Sequence, residues 1–400
     1  MVRFETFHVE KYMDDHELTA KYNISETCCA SISVDQLVAL SEKKDAQVVD
    51  LSRKMLYGEI PGSDALRSNL ARLYSTKVGT PLPKENIRIT PGAIGANQIV
   101  LSSLTGPGDH VICHYPTYQQ LYSYPASLGA EVELWRAQAE KDWIPNTEEL
   151  KKMIRPNTKL IIVNNPNNPT GAVMKKSWMQ SVIEIAEGHN IPILADEVYR
   201  PLFHSINPMD PEFPPSILSM GYKNVIATGS LSKAYSLAGI RVGWIATRDP
   251  EMIERFHRAR YYSVISVSGI DDQIATFALS QDTIHALLAR NLQLARTNLA
   301  VLEKFMIKHD DYAEWVRPQA GTTAFIRFSR DGKPVDALDF CERLQEKTGV
   351  MLVPGDKCFG DEFKGYVRVG FVQEEDVLKG GLEQLRKFLR KDFDDVKLAE

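Results

Sequence analysis

Residues 229–244 read GSLSKAYSLAGIRVGW and follow a short run of β-forming residues, Asn224–Thr228 (NVIAT). Lys233 stands here among small and hydroxyl side chains, with Ser230 and Ser232 just before it and Arg241 eight residues on. A lysine so placed attacks a carbonyl and forms a Schiff base where its surroundings lower its pKa. The two hydroxyls and the guanidinium suit a phosphate. Arg241 opens the next β-like run, Arg241–Ala246 (RVGWIA), so the stretch reads as strand, loop and strand.

The alternation continues outward. Further strands are expected at His110–Cys113 (HVIC), Glu131–Trp135 (EVELW), Leu160–Val163 (LIIV) and Ile191–Ala195 (IPILA), with helical spacing between them as in Trp178–Glu187. Strands alternating with helices imply a largely parallel sheet covered on both faces. An unbroken apolar strand such as LIIV agrees, because a doubly covered strand need not alternate. In such a sheet ligands gather beyond the carboxyl ends of the strands. There the chain offers Asn164–Gly171 (NNPNNPTG) after LIIV and Asp196–Tyr199 (DEVY) after IPILA. Thr90–Ile94 (TPGAI) starts a helix whose free backbone amides face an anion. A carboxylate ending a buried strand calls for a cationic partner, such as a protonated ring nitrogen. Carbonyl, ring nitrogen, phenolate and phosphate together describe pyridoxal 5'-phosphate.

At 400 residues the chain exceeds a usual single domain, so a large domain plus a smaller one is expected. Gln281–Lys308, apolar at helical spacing and free of Gly and Pro, reads as one or two helices leading out of the large domain. Beyond it, strands at Thr322–Phe328 and Val367–Phe371 and helices near Ala337–Lys347 and Val377–Arg390 make a smaller α+β unit. The expected division is an N-terminal segment 1–50 belonging to the small domain, a large domain 51–290 and a C-terminal small domain 291–400. Lys plus Arg number 47 against 52 Asp plus Glu, a net charge of −5, which gives no reason to bind nucleic acid or an anionic membrane. No apolar run reaches the roughly 20 residues of a membrane span, and MVRFETFHVEKYMDDHELTA is too charged for a signal peptide. Five cysteines without Cys-x-x-Cys, and scattered histidines, argue against a disulfide framework and a metal site. A cytoplasmic protein is expected.

In their order, Ser230–Gly243, NNPTG (Asn167–Gly171), DEVY and the later PG-x4-G (Pro354–Gly360) and YVR-x-G (Tyr366–Gly370) resemble one family. It is the class I/II aminotransferases, the fold-type I pyridoxal-phosphate enzymes, and the resemblance runs from about Asn23 to the C-terminus. It implies an α/β fold with a mainly parallel seven-stranded sheet between helices, a smaller α+β domain, and a homodimer. It also implies that Lys233 holds the cofactor aldehyde as an internal aldimine and afterwards moves the α-proton. Asp196 would pair with the pyridine nitrogen, Asn168 and Tyr199 would bond the phenolate oxygen, and Tyr118 would stack on the ring. The Ala93 and Ile94 amides, with Ser230, Ser232 and Arg241, would hold the phosphate. Tyr57, in Tyr-Gly-x3-Gly62, would reach it across the dimer interface. Arg368, with Asn168 beside it, would take the substrate carboxylate. The implied activity is amino transfer between an L-amino acid and a 2-oxo acid.

Singly, each residue has a plainer reading. Lys233 is a solvated lysine, Asp196 a helix cap, Asn168 a turn residue among turn formers, Tyr118 a core aromatic, and Arg241 and Arg368 strand charges. Their joint order overrides these. Ser230–Lys233 is also Ser-x-x-Lys, with Lys347-Thr-Gly349 after it as in penicillin-recognising enzymes, but no Ser-x-Asn lies between. A non-catalytic pyridoxal-phosphate module of a transcription regulator needs a DNA-binding segment, and no basic helix-turn-helix pattern precedes the large domain.

Within the fold the reaction stays open. PGDKCFG (354–360) and AGTTAFIRF (320–328) are similar to capreomycidine synthase-like, arginine-processing members. Oxidation or cyclisation of an arginine-like amino acid is therefore the alternative, with β/γ-elimination behind it. Asp14, Asp15, Glu17 and Glu26 are candidate carboxylates for a cationic substrate, against the plainer reading of solvated or helix-capping acids. Cys28 and Cys29 read as two buried small residues.

Overall fold

The computed structural model describes residues 4–75 and 80–400, so residues 1–3 of the N-terminal segment lie outside the described residues. Seven strands make the main sheet: β1 (Ile87–Pro91), β2 (His110–Tyr115), β3 (Glu131–Arg136), β4 (Thr158–Asn164), β5 (Ile193–Asp196), β6 (Val225–Ser230) and β7 (Val242–Thr247). Their spatial order is β1-β7-β6-β5-β4-β2-β3. Neighbours run parallel except at β7, which is antiparallel to both β1 and β6. Central β4 exposes only Lys159, whereas edge strand β3 exposes Glu131 and Arg136. That contrast follows from helices covering both faces of the centre.

Three boundaries differ from the sequence reading. β5 starts at Ile193, past Pro192, which has no N–H for the ladder. Arg241 precedes β7 in a left-handed conformation, φ 52°, and is not a strand residue. β1 is an edge strand that the apolar runs did not reveal; it runs straight into the helix Gly92–Leu104, so TPGAI is a strand-to-helix junction.

A second, antiparallel sheet holds β8 (Ala313–Trp315), β9 (Thr323–Arg330), β10 (Lys333–Pro334), β11 (Val353–Pro354) and β12 (Tyr366–Gly370). Its order is β10-β9-β12-β11, with β8 paired to β9. Helix Ala337–Thr348 packs on it through Phe340, whose ring lies 4.7 Å from that of Phe328 and 5.7 Å from that of Phe388 on helix Glu375–Lys391.

One unbroken helix, Gln281–Lys308, joins the two sheets and is about 42 Å long at 1.5 Å per residue. Its buried positions Ile284, Leu287, Asn291, Ala295, Asn298, Leu302 and Phe305 recur every three or four residues, the period of one helix face. The two asparagines spend their amides on carbonyls at either end. Asn291 Nδ2 donates to Ala234 O (2.8 Å), next to Lys233, and Asn298 Nδ2 to Phe371 O (2.8 Å) and Gln373 O (2.7 Å). The helix thus ties the lysine loop to the end of the second sheet.

The N-terminal segment binds to that second sheet. Gly370 N–H of β12 donates to Ile24 O at 2.9 Å, and just before it Tyr22–Asn23 forms a separate two-stranded parallel sheet with Val350–Met351. A β-carbon at Gly370 would come within 1.8 Å of Glu26 O, so only glycine lets residues 24–28 lie against the end of β12. No described helix is long and apolar enough to cross a membrane.

His114, on β2, is 1% exposed, and neither ring nitrogen has a hydrogen-bond partner among the described residues. Burial lowers its pKa from 6.5 to about 3, so the folded chain keeps it neutral while the unfolded chain protonates it. Its contribution is present above pH 6.5 and is lost as pH falls toward 3, by about 1.4 kcal/mol per pH unit. His114→Leu should leave urea stability at pH 8 nearly unchanged and make the loss between pH 6.5 and 4 shallower. An equally steep acid limb in the variant would show that His114 is not the titrating group.

Candidate active site

The carboxyl ends of β4, β5 and β6 open on a cleft of about 420 Å³, walled on the other side by the N-terminal segment and Arg368 of β12. Ala93, Ile94, Tyr118, Asn168, Asp196, Tyr199, Ser230, Ser232, Lys233, Arg241 and Arg368 all line it. Residues far apart in the sequence therefore meet at one rim because the strand ends that carry them lie side by side. The register sets Asn164 beside Asp196 and Asp196 beside Thr228.

Asp196 is 3% exposed. Its Oδ2 accepts from Asn97 Nδ2 (3.0 Å) and its Oδ1 from Val198 N–H (3.1 Å). Burial raises its pKa, opposed by these two bonds and by Lys233. Tyr199, equally buried, has its phenol pushed up mainly by burial, with Lys233 and Arg368 acting the other way.

Lys233 Nζ donates to Thr27 Oγ1, lies 3.5 Å from Cys28 Sγ and stands 3.8 Å from Glu26 Oε1. Burial works against its ammonium most strongly, but Cys28, Tyr199 and Glu26 together hold its pKa above the ordinary lysine value. The Cys28 thiol, pushed up to about 11 by burial, is neutral near pH 7. Cys29 is buried as well, in agreement with the sequence reading.

At the other end, Ser230 Oγ and Ser232 Oγ are 2.8 Å apart and Arg241 Nη1 is 3.3 Å from Ser232 Oγ. The helix Gly92–Leu104 begins with no side chain capping its first turn, which leaves the Ala93 and Ile94 end open to an anion. A β-carbon at Gly243 would stand 2.3 Å from Gly92 C, so glycine there lets β7 approach the helix start closely. Hydroxyls, guanidinium and helix terminus make a cradle that could hold a phosphate.

Arg368 is 3% exposed. Nη2 donates to Ser25 O (3.1 Å) and Nη1 makes a long contact to Asn168 Oδ1 (3.5 Å), while Nε is buried without a partner among the described residues. A guanidinium so placed in a cleft wall is set to receive a carboxylate. Cradle, buried acid, lysine and guanidinium fit a phosphate-bearing pyridine aldehyde plus an amino acid.

The helix His8–His16 covers the cleft mouth. Val9, Glu10, Met13 and the following Glu17 face inward, and Glu10 Oε1 accepts from Tyr118 OH at 2.8 Å. Burial and Glu10 push the Tyr118 phenol far up. The Tyr118 ring lies 5.1 Å from that of Phe7 and is tilted to it. Of the four acids singled out in the sequence, Glu17 and Glu26 line the cleft. Asp14 and Asp15 do not, and Asp15 pairs instead with Lys11 at 2.7 Å on the outer face. Tyr57 also lies elsewhere: it is 81% exposed, in a surface depression beside Val267 and Gly269. Sequence reasoning missed Asn97, Thr27 and Glu10. Asn97 was findable, since it follows Ala93 by one helical turn and so shares its face.

The family model for aminotransferase class I and II matches residues 34–383. Among solved structures, a pyridoxal-phosphate-dependent aminotransferase from Streptococcus suis 89-1591 is 40% identical, with a TM-score of 0.87 over 97% of this chain and 98% of that one. Capreomycidine synthase of Streptomyces vinaceus is 28% identical over 95% of this chain and 93% of its own. An aspartate aminotransferase of Pyrococcus horikoshii is also 28% identical, over 82% of this chain and 81% of its own. The likeness to fold-type I enzymes thus extends from the sheet order to nearly the whole chain. The chain belongs to the class I and II aminotransferases and is a pyridoxal-phosphate-dependent enzyme of that family.

Proposed function

We propose that the chain transfers the amino group of an L-amino acid to a 2-oxo acid, with Lys233 and Asp196 as the central pair. The observation that carries this reading is a half-buried lysine and a buried carboxylate on one rim, facing Arg368, whose Nε has no partner among the described residues. Pyridoxal phosphate, when bound, supplies a carbonyl for the amino group and a ring that receives the electron pair of a broken Cα bond.

The chain's own residues do the rest. Ser230, Ser232, Arg241 and the Ala93–Ile94 amides hold the phosphate. Asp196 holds the proton on the ring nitrogen, and Asn97 keeps that carboxylate aimed. Asn168 and Tyr199 would hold the phenolate oxygen, and Tyr118 would lie against the ring. Arg368 orients the substrate through its carboxylate. Lys233 takes the α-proton at Nζ, and Glu26, 3.8 Å away, favours the ammonium that results.

Tyr57 we assign to the phosphate of a second copy in a homodimer. Its exposure with Met55 and Leu56, in a depression shared with Val267, supports an apolar subunit interface. Five free, buried cysteines support a reducing compartment such as the cytosol.

A second reading is oxidation or cyclisation of an arginine-like amino acid, or β/γ-elimination, and the similarity to capreomycidine synthase over 95% of the chain favours keeping it. One experiment separates them. Holoprotein given L-amino acids singly, in air, should lose the cofactor's visible band and regain it on addition of a 2-oxo acid. Recovery that depends on oxygen, or release of free ammonia, would favour the second reading. Lys233→Ala should remove the response altogether.

The Asn97–Asp196 bond makes a separate prediction. Asn97→Ala should raise the dissociation constant for pyridoxal phosphate about ten- to a hundredfold, the worth of a hydrogen bond to a charged group. Titration of apoprotein with cofactor measures this, and an unchanged constant would remove Asn97 from the site.

A further inference from the structure

We infer that the subsite for the substrate side chain is built for a cation, with Glu26, Glu17 and Glu10 as its anions. The inference rests on the amino-transfer reading above and deepens it.

The balance of charge over the cleft wall leads there. The wall holds three cationic side chains, Lys233, Arg241 and Arg368, and four carboxylates, Asp196, Glu10, Glu17 and Glu26. All three cations are engaged, Arg241 at the phosphate, Arg368 at the α-carboxylate, and Lys233 at the cofactor carbonyl and the α-proton. Asp196 is matched by the ring nitrogen. Glu26 has Lys233 beside it, whereas Glu10 and Glu17 stand exposed at the mouth of the open cleft with no ion pair among the described residues; a substrate that fills the cleft takes water from those two and leaves Lys233 to the cofactor carbonyl and the α-proton. Carboxylates in that position call for a positive group.

Geometry assigns the end of the substrate they meet. The buried, unpartnered Nε of Arg368 marks where the α-carboxylate goes. Glu26 stands 3.8 Å from Lys233 Nζ, so it is within reach of the substituents of the carbon whose proton Lys233 moves. Its Oε1 accepts from Thr27 N–H (2.6 Å) and Cys28 N–H (3.2 Å), which fixes the carboxylate while leaving further acceptor sites. Burial raises the Glu26 pKa, but Lys233, the Cys28 side chain, the Thr27 N–H and Arg368 together hold it below the ordinary value, so it is charged at neutral pH.

Glu10, Met13 and Glu17 follow one another at three and four residues, a single helix face, and with Val9 they turn toward the cleft. Val9 and Met13 offer an apolar wall to a methylene stem, and the two glutamates an acidic end. A long side chain with a terminal ammonium or guanidinium matches that order. A dicarboxylic amino acid would place its second carboxylate among three others.

Two isosteric pairs isolate the charge: L-arginine against L-citrulline, and L-lysine against L-2-aminoheptanoate, each with holoenzyme. The charged member should show a kcat/KM about ten- to a hundredfold higher, the range expected for charge-assisted hydrogen bonds. Glu26→Gln and Glu17→Gln should each bring the ratio toward one. The neutral member reads out any separate effect on Lys233. Asp14→Asn with Asp15→Asn, on the outer face, should leave the ratio unchanged. Equal turnover of charged and neutral members, or a ratio that survives both glutamine variants, overturns the inference while amino transfer stands. Calorimetric binding of the same pairs separates the other case. Charge-selective binding without loss of the visible band keeps the subsite and sinks the amino-transfer reading, whereas binding without charge preference sinks the subsite.

Discussion

A carboxylate buried at the end of a strand, with a strand on either side, cannot stay charged without partners, and the rest of the site is arranged around satisfying Asp196. Thr228 Oγ1, on the neighbouring strand, donates to Asn97 Oδ1 at 2.7 Å. With its oxygen taken, the Asn97 amide must turn its nitrogen toward Asp196, where it donates at 3.0 Å. That short chain of bonds fixes the helix Gly92–Leu104 against the sheet. The same helix presents Ala93 and Ile94 at its open first turn. The acid proposed for a ring nitrogen and the amides proposed for a phosphate are therefore held at a set separation by one hydrogen-bonded link.

The opposite wall depends on a second device, the seating of residues 24–30 across the gap between the sheets. Ile24 O accepts from Gly370 N–H, Ser25 O from Arg368, and Thr27 O from Thr322 Oγ1 at 2.6 Å. Cys29 N–H donates to Lys233 O at 3.1 Å and Ala30 N–H to Val372 O at 2.7 Å. One short segment thus touches the lysine of the large sheet and the arginine of the small one. Glu26, Thr27 and Cys28 reach Lys233 because the backbone on both sides of them is anchored.

The sequence made the main sheet legible because doubly covered strands leave unbroken apolar runs such as LIIV, and because the residues just past them carry the chemistry. It hid β1, which is an edge strand whose IRITP mixes polar and apolar residues and merges with a helix start. Lys233, Asp196 and Asn168 were expected at the cleft because their motifs lie at or just past strand ends, and Arg368 because its motif spans the strand Tyr366–Gly370; all four line it. Glu10 was not, since its place depends on how a nine-residue helix docks, and nothing local encodes that. Asp14 and Asp15 misled for the same reason: in a helix, residues one apart face different ways, so choosing among adjacent acids needs the docked face. Tyr57 is a further case, since a single chain leaves it on the surface and its expected partner belongs to a second copy.

The family fold supports several reactions, and what divides them is the fate of the electron pair once the Cα–H bond has broken. Loss of that proton to Lys233 is common to amino transfer, oxidation, ring closure and elimination, so the Lys233–Asp196 pair alone does not choose among them. The acids across the cleft do bear on the choice. A guanidinium keeps its proton up to very high pH, and pairing with carboxylates strengthens that hold. Ring closure onto the substrate's own chain needs a nitrogen with a free lone pair. A side chain gripped by Glu26 and Glu17 as a cation is a poor nucleophile and is held away from its own backbone. An acidic subsite of this kind therefore favours amino transfer from a cationic amino acid over its cyclisation, unless a base near the side-chain end takes a proton from it. Near that end the carboxylates of Glu10, Glu17 and Glu26 are far weaker bases than a neutral guanidine and leave its proton in place, and Tyr118, which donates to Glu10 and retains its proton, supplies no stronger one.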